Sequence, residues 1–339
     1  MNKPKISIII WLISGCILIF IMVIIGGLTR LTGSGLSMVD WNLFMGAIPP
    51  ITHQEWQEAF NIYKKYPEYQ IKNYDFTLSQ FKNIFFWEYL HRMIGRLLGL
   101  VFIIPFIYFI ITKQLDKKLL LKTSILLILG ATQGFIGWWM VKSGLVNNPD
   151  VSHFRLAVHL TTAFITFAYT FWVILTLLFP QKKFNNKELF NISVPLLILV
   201  IIQIIYGAFV AGLDAGKIYN TWPKMHDKWI AESVYAISPI WKNFTEGLAG
   251  VQFIHRCLAF ILLFLVFWLY MKSRKFNLIK IEHYAINSIL IIISFQVILG
   301  VLVLIKGVPI LLGSLHQISA FLLLASSVFC VFVFKKNTQ

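Results

Sequence analysis

Phe86-Trp87-Glu88-Tyr89-Leu90-His91-Arg92-Met93-Ile94-Gly95-Arg96 sets a carboxylate, an imidazole and two guanidiniums at the mouth of an apolar run. Glu88 and His91 are three residues apart, so on a helix they share a face. Ionisable groups at membrane depth are costly, and a functional reading is the default for them. The bland reading is an interfacial helix start, with Trp87 and Tyr89 as belt aromatics and Arg92 facing lipid headgroups. A second copy favours function: Phe253-Ile254-His255-Arg256 repeats the His-Arg pair 164 residues later, again opening an apolar run.

Outward from that stretch, the 339 residues are 58% hydrophobic and 13% charged, where soluble domains carry about 25% charged residues. Many apolar runs exceed the roughly 18 residues that read as a span. The chain is therefore expected to be an all-α polytopic membrane protein embedded in lipid. The net charge of +16 does not indicate nucleic acid, because the basic residues sit in short loops beside apolar runs, as the positive-inside bias predicts. Cys16, Cys257 and Cys330 all lie within apolar runs, so neither a loop disulfide nor a thiolate metal site is suggested. No small-residue cleavage site follows the first apolar run, which reads as an uncleaved span. No Arg- and Ser-rich transit peptide is present, which favours a bacterial cytoplasmic membrane.

Eight spans are expected near 7–28, 85–112, 119–141, 154–178, 191–213, 248–271, 284–305 and 310–334. Lys3, Lys5, Lys113, Lys117, Lys118, Lys122, Lys182, Lys183, Lys187, Lys272, Arg274, Lys275, Lys280, Lys335 and Lys336 fall on one side. That side is read as cytoplasmic, with both termini inside. Two long loops, near 29–84 and 214–247, then lie outside. Their aromatics, Trp56, Tyr63, Tyr66, Tyr69, Trp222, Trp229, Tyr235 and Trp241, are expected on the membrane surface in short amphipathic or irregular segments.

The chain also repeats itself. Gly26, Gly35 and Trp41 match Gly207, Gly216 and Trp222 at an offset of 181; Gln133 and Gly137 match Gln296 and Gly300 at 163. Spans one to four thus correspond to spans five to eight. An even number of spans per half makes this a parallel repeat. The expected architecture is two pseudo-two-fold-related four-helix bundles, 1–180 and 181–339, and bundle cores are where cofactors bind.

His91, His159, His255 and His316 lie in the even-numbered spans, five to seven residues past the outer start of each, or roughly 8–10 Å deep. Two imidazoles at equal depth on facing helices of one bundle suit axial ligation of a heme iron. Zinc would want three or four convergent ligands. His53, His226, His283 and His153 read as surface residues, with His153 also a candidate for an entrance. Arg92, Arg155 and Arg256 accompany the histidines and could bind carboxylates bidentately, heme propionates being the obvious ones and lipid phosphate the alternative. Shifted by 164, Glu88 becomes Gln252. A site that does chemistry uses an acid or base; a heme held as electron carrier needs none. Reaction is therefore assigned to the first bundle, at Glu88, and a resident heme to the second.

Gly-Gly-Leu-Thr-Arg-Leu-Thr-Gly-Ser-Gly-Leu-Ser (26–37), Glu-Tyr-Leu-His-Arg (88–92), Gln-Gly-Phe-Ile-Gly-Trp-Trp-Met-Val (133–141), the segment around His159, Phe-Ile-His-Arg (253–256) and Leu-His-Gln (315–317) together resemble the heme A synthase family. The resemblance spans nearly the whole chain, in the subtype without cysteine pairs in the outer loops. It implies an oxidoreductase that converts the C8 methyl group of heme O to a formyl group by successive hydroxylations, water supplying the oxygen, to make heme A for cytochrome oxidase. Carried over, Glu88 is the acid/base or cation-stabilising carboxylate, His91 and His159 flank the substrate heme, and His255 and His316 bind a heme b cofactor. A farnesylating heme O synthase, an electron acceptor and a second copy of the chain are the candidate partners. The competing readings are a quinol-linked diheme b-type cytochrome, which does not need Glu88, and a heme transporter or chaperone, which would leave heme unmodified.

Overall fold

A computed structural model describes residues 6–39, 48–146, 149–180 and 185–336. Trp41, Lys3, Lys5, Lys182 and Lys183 lie outside them. Among the described residues there are helices and no strands. In chain order they are α1 (Ile6–Leu31), α2 (His53–Tyr63), α3 (Pro67–Ile71), α4 (Leu78–Ile111), α5 (Lys117–Lys142), α6 (His153–Leu178), α7 (Lys187–Gly212), α8 (Leu248–Ser273), α9 (Lys280–Ile305) and α10 (Ile310–Phe334). Eight of these, all but α2 and α3, are long and apolar enough to cross a membrane. The protein is a multi-pass membrane protein. In hydrocarbon every backbone polar group must find an internal partner, and an uninterrupted helix provides it.

Most helix bounds fall within four residues of the expected spans, but α4 begins at Leu78 rather than near residue 85. A capping box explains the difference. Gln80 N–H donates to Thr77 Oγ1 and Thr77 N–H donates back to Gln80 Oε1, at 3.4 and 2.8 Å, which satisfies two donors that the helix start leaves open. His91 consequently lies thirteen residues past the start of its helix, whereas His159, His255 and His316 lie six or seven past theirs.

The extra turns of α4 have a packing purpose. Phe81, Ile84 and Phe85 form a buried cluster with Phe60 and Tyr63 of α2. Phe81 lies 5.1 Å from both the Phe60 and Tyr63 rings, and Trp56 meets Phe85 edge-on at 5.0 Å. Between α1 and α4, α2 thus packs on the start of α4 around a shared aromatic core. Tyr63, expected on the membrane surface, is fully buried there. In the second loop, short 3₁₀ turns at Ala215–Lys217, Glu232–Tyr235 and Ile240–Phe244 surround Met225, Val234 and Ala249. Its aromatics Trp222, Trp229, Tyr235 and Trp241 are exposed. Buried Asn243 ties this loop together, accepting from Ile237 N–H at 2.9 Å and donating to the Ile237 and Ile240 carbonyls.

By contacts the chain forms two compact units. One is Ile17–Ala163; the other is Phe164–Gln339 with the chain up to Cys16. The first holds His91 and His159, the second His255 and His316.

Candidate functional site

In each unit the histidines are seated in the same way, against glycines. A Cβ built on Gly26 of α1 would stand 3.1 Å from His91 Cε1, and one on Gly137 of α5 would stand 3.2 Å from His159 Cε1. In the second unit, Gly207 of α7 faces His255 at 3.4 Å and Gly300 of α9 faces His316 at 3.0 Å. These are the glycines that mark the sequence repeat. Each leaves room for the Cε1 edge of an imidazole to approach the neighbouring helix.

All four rings are half-buried, yet each Nδ1 is enclosed, and among the described residues those of His91, His159 and His255 have no hydrogen-bond partner, while His316 has the Gln296 backbone near it. Buried polar atoms are almost always paired, so these unpaired rings point to groups held for something other than the fold. Within each unit the two histidines are close enough to interact electrostatically. Among the described residues no three His, Cys, Asp or Glu side chains converge for a metal ion. The protein offers paired imidazoles, which fits an iron that takes its other ligands from a macrocycle and does not fit zinc.

One residue at the histidine seats escaped the sequence reading. Gln203 of α7 sets Nε2 3.4 Å from His255 Nε2 and 3.1 Å from the His255 carbonyl. Gln296 of α9 likewise sets Nε2 3.4 Å from His316 Nε2. The signal was available: Gln133…Gly137, Gln203…Gly207 and Gln296…Gly300 share one spacing, a glutamine one helical turn before the glycine that carries the histidine. The fourth copy has Met22 before Gly26.

Glu88 is 4% exposed, and three donors surround it. Ser37 Oγ and Met38 N–H donate to Oε2 at 2.7 and 2.8 Å, and Arg92 Nη2 donates to Oε1 at 2.6 Å. The same Arg92 nitrogen donates to the Met38 carbonyl at 2.6 Å. The carboxylate therefore holds the start of the loop that follows α1, one turn before His91 on α4. In the second unit, Gln252 Nε2 donates to the Ala215 and Ile218 carbonyls at 2.9 and 2.6 Å. Arg256 Nη2 donates to Gln252 Oε1 at 3.0 Å and to the Tyr219 carbonyl at 2.7 Å, and Arg256 Nη1 reaches the Thr221 and Lys224 carbonyls. At the offset of 181, Met38 is the counterpart of Tyr219. The two arginines make the same bond, while residues 88 and 252 meet their loops with opposite polarity. Arg155 is placed differently, donating to the Trp139 carbonyl at 2.7 Å with its guanidinium 4.5 Å from the Trp139 ring. His53, His226 and His283 are exposed, and His153 starts α6 with its ring against Phe154.

The family model described as cytochrome oxidase assembly protein (COX15-CtaA) matches residues 9–328. This chain belongs to that family. Its similar relatives include the heme A synthase of Flavobacterium psychrophilum, 54% identical over 98% of this chain and 100% of the relative. That of Flavobacterium johnsoniae is 52% identical over 96% and 97%, and that of Nitrosospira multiformis 44% identical over 94% and 90%. The heme A synthase family resemblance read from the short motifs thus extends over essentially the whole chain. In this member of the family the motif residues include the four histidines, Glu88, Arg92 and Arg256.

Proposed function

We infer that this chain acts as a heme A synthase, an enzyme that oxidises heme O. The carrying observation is the contrast within the repeat: two matched histidine seats, of which one alone lies beneath a buried carboxylate. We assign the substrate heme and the chemistry to the first half, 1–180, and a resident heme b to the second, 181–339. His91 and His159 would flank the substrate, and His255 and His316 would hold the iron of heme b, which supplies reversible one-electron chemistry when bound. Arg92, Arg155 and Arg256 bring positive charge to the same level of the fold, suited to propionates, although Arg92 and Arg256 also hold loop carbonyls.

The reaction is proposed as two hydroxylations of the C8 methyl group with water as oxygen source, followed by loss of water to give the formyl group. Each hydroxylation releases two electrons and two protons, so the site needs an electron acceptor and a route for protons. Glu88 carries a fixed negative charge or takes up a proton close to the reacting carbon, and either action lowers the barrier where positive charge develops. That carboxylate is almost fully buried and adjoins the aromatic core through Phe85 and Met38. A bacterial inner membrane location, both termini cytoplasmic, and association with a farnesylating heme O synthase or a second copy of the chain belong to the same reading.

Co-expression with a source of heme O, followed by chromatography of extracted hemes, tests it. Heme A or a hydroxylated intermediate is expected. Bound heme with no modified heme would favour a diheme cytochrome or a heme carrier. For topology, cysteines introduced at Tyr66 and Lys228 should react with an impermeant thiol reagent in intact cells, and labelling at Lys117→Cys instead would invert the orientation.

A further inference from the structure

The first outer loop buries a second carboxylate. Glu68 of α3 is 6% exposed and, among the described residues, has no ion-pair partner. Tyr63 O–H donates to Glu68 Oε2 at 3.0 Å, and Asn73 Nδ2 donates to Tyr63 Oη at 2.8 Å. Lys72, in the turn after α3, pairs with Asp150 at 2.5 Å, with both side chains close to half exposed. Tyr63 lies in one core with Phe81, Ile84 and Phe85 of α4, and Met38, whose N–H donates to Glu88, packs against that same core, so the Glu68–Tyr63 pair sits on the core that adjoins Glu88. A buried, uncompensated carboxylate is costly. A fold that needed only packing here would be served by an amide or an apolar residue.

We propose that Glu68 is a proton-transfer residue, receiving protons from the Glu88 site and passing them through the first outer loop to solvent. This rests on the functional reading above, in which methyl oxidation releases protons beside a buried carboxylate, and those protons must leave the site. In the step, an O–H bond on the Glu88 side breaks and one forms on a Glu68 oxygen. Glu68 becomes neutral, the donor side gains the negative charge, and no oxidant takes part. Release past the exposed Lys72 and Asp150 restores the carboxylate. Burial pushes the Glu68 carboxyl up to about 7, reinforced by Glu88 and Asp150 and opposed by the Tyr63 hydroxyl and Lys72. A group poised near ambient pH is what proton transfer requires.

The test is the rate of heme A formation against pH in purified protein supplied with heme O and an excess of a one-electron acceptor such as ferricyanide, with resident heme quantified in every variant. Wild type should rise through an inflection near the Glu68 value. In Glu68→Gln the amide oxygen still accepts from Tyr63, so the loop core and resident heme should persist. The rate above that pH should fall at least about tenfold, below the roughly 10²–10⁴ of a group acting directly on a reacting bond, and the inflection should vanish. Glu68→Asp should restore it in part. Infrared titration supplies a readout without turnover: a protonated-carboxyl band should titrate near neutrality in wild type and be absent from Glu68→Gln. If Glu68→Gln loses heme, Tyr63→Phe carries the test, because removing the donated hydroxyl should move the inflection to higher pH. An unchanged pH profile, or a slower enzyme that keeps the inflection, would overturn the proposal. A wild type that makes no heme A at any pH would overturn the functional reading instead.

Discussion

Residues 88 and 252 occupy one position of a duplicated frame and solve one problem in opposite ways. Each is almost fully buried, bonds an arginine four residues on, and anchors the loop that follows the preceding span. Glu88 accepts from a loop hydroxyl and a loop N–H, whereas Gln252 donates to two loop carbonyls. Anchoring alone therefore does not require a charge, because the amide achieves it. The loop at Glu88 presents donors and so asks for an acceptor, and a carboxylate there brings a charge that the second lock does without, which is the physical reason for proposing the chemistry at this position. A buried ion pair is weak grounds for stability, so Glu88–Arg92 is better read as a device kept for function.

The comparison can be broken most severely at the histidines. His255→Ala or His316→Ala should abolish the resident b-type heme, read from the reduced-minus-oxidised spectrum. His91→Ala should leave that spectrum in place. Equal loss of resident heme in all three would erase the proposed division between halves.

Next in size is Glu88→Gln, which makes the first lock chemically like the second. Heme A formation should fall by about 10²–10⁴ with the resident heme retained. The structure adds a complication, since the new amide cannot satisfy both Arg92 and the two loop donors. Some loosening of residues 37–39 is expected, visible as faster hydrogen exchange. Heme A at wild-type levels would reduce Glu88 to a loop anchor.

The reciprocal change, Gln252→Glu, turns carboxylate oxygens toward the Ala215 and Ile218 carbonyls. Losing a buried donor against two acceptors should cost about 1–3 kcal/mol or more, measured as a lower Tm of the detergent-solubilised protein, and no new activity should appear. An unchanged Tm would mean that loop polarity does not discriminate the two residues.

The smallest effects are expected at the histidine seats. Gly300→Ala would press a methyl to 3.0 Å from His316 Cε1, and Gly207→Ala would come to 3.4 Å from His255 Cε1. Overpacking of this kind costs about 1–3 kcal/mol. Gly300→Ala should therefore perturb the low-spin heme resonance spectrum more than Gly207→Ala, which should be nearly silent. The reverse order would show that the seats are not set by these contacts.

The histidines, their glycines and Glu88 could be read from the sequence because each repeats, or fails to repeat, at a fixed offset. Gln203 carried the same spacing and was passed over, since its first-half counterpart is Met22 and the pair does not look like a match. Loop contents were harder. Tyr63 sits among surface-type neighbours in sequence, and only Phe60, Phe81 and Phe85 closing around it make it core.

The sequence by itself determined that there are eight spans. Lipid offers backbone groups no partner, so a sufficiently long apolar run has one solution. It also determined the duplication and the four histidines, because side-chain identity at a fixed helical register is local information. Tertiary structure decided what faces positions 88 and 252. Whether a loop turns N–H or C=O groups toward a buried side chain depends on its backbone dihedrals and not on its residue types. It decided as well that Glu68 is buried beside Tyr63, since burial of a loop carboxylate is a property of how the aromatic core closes over α4.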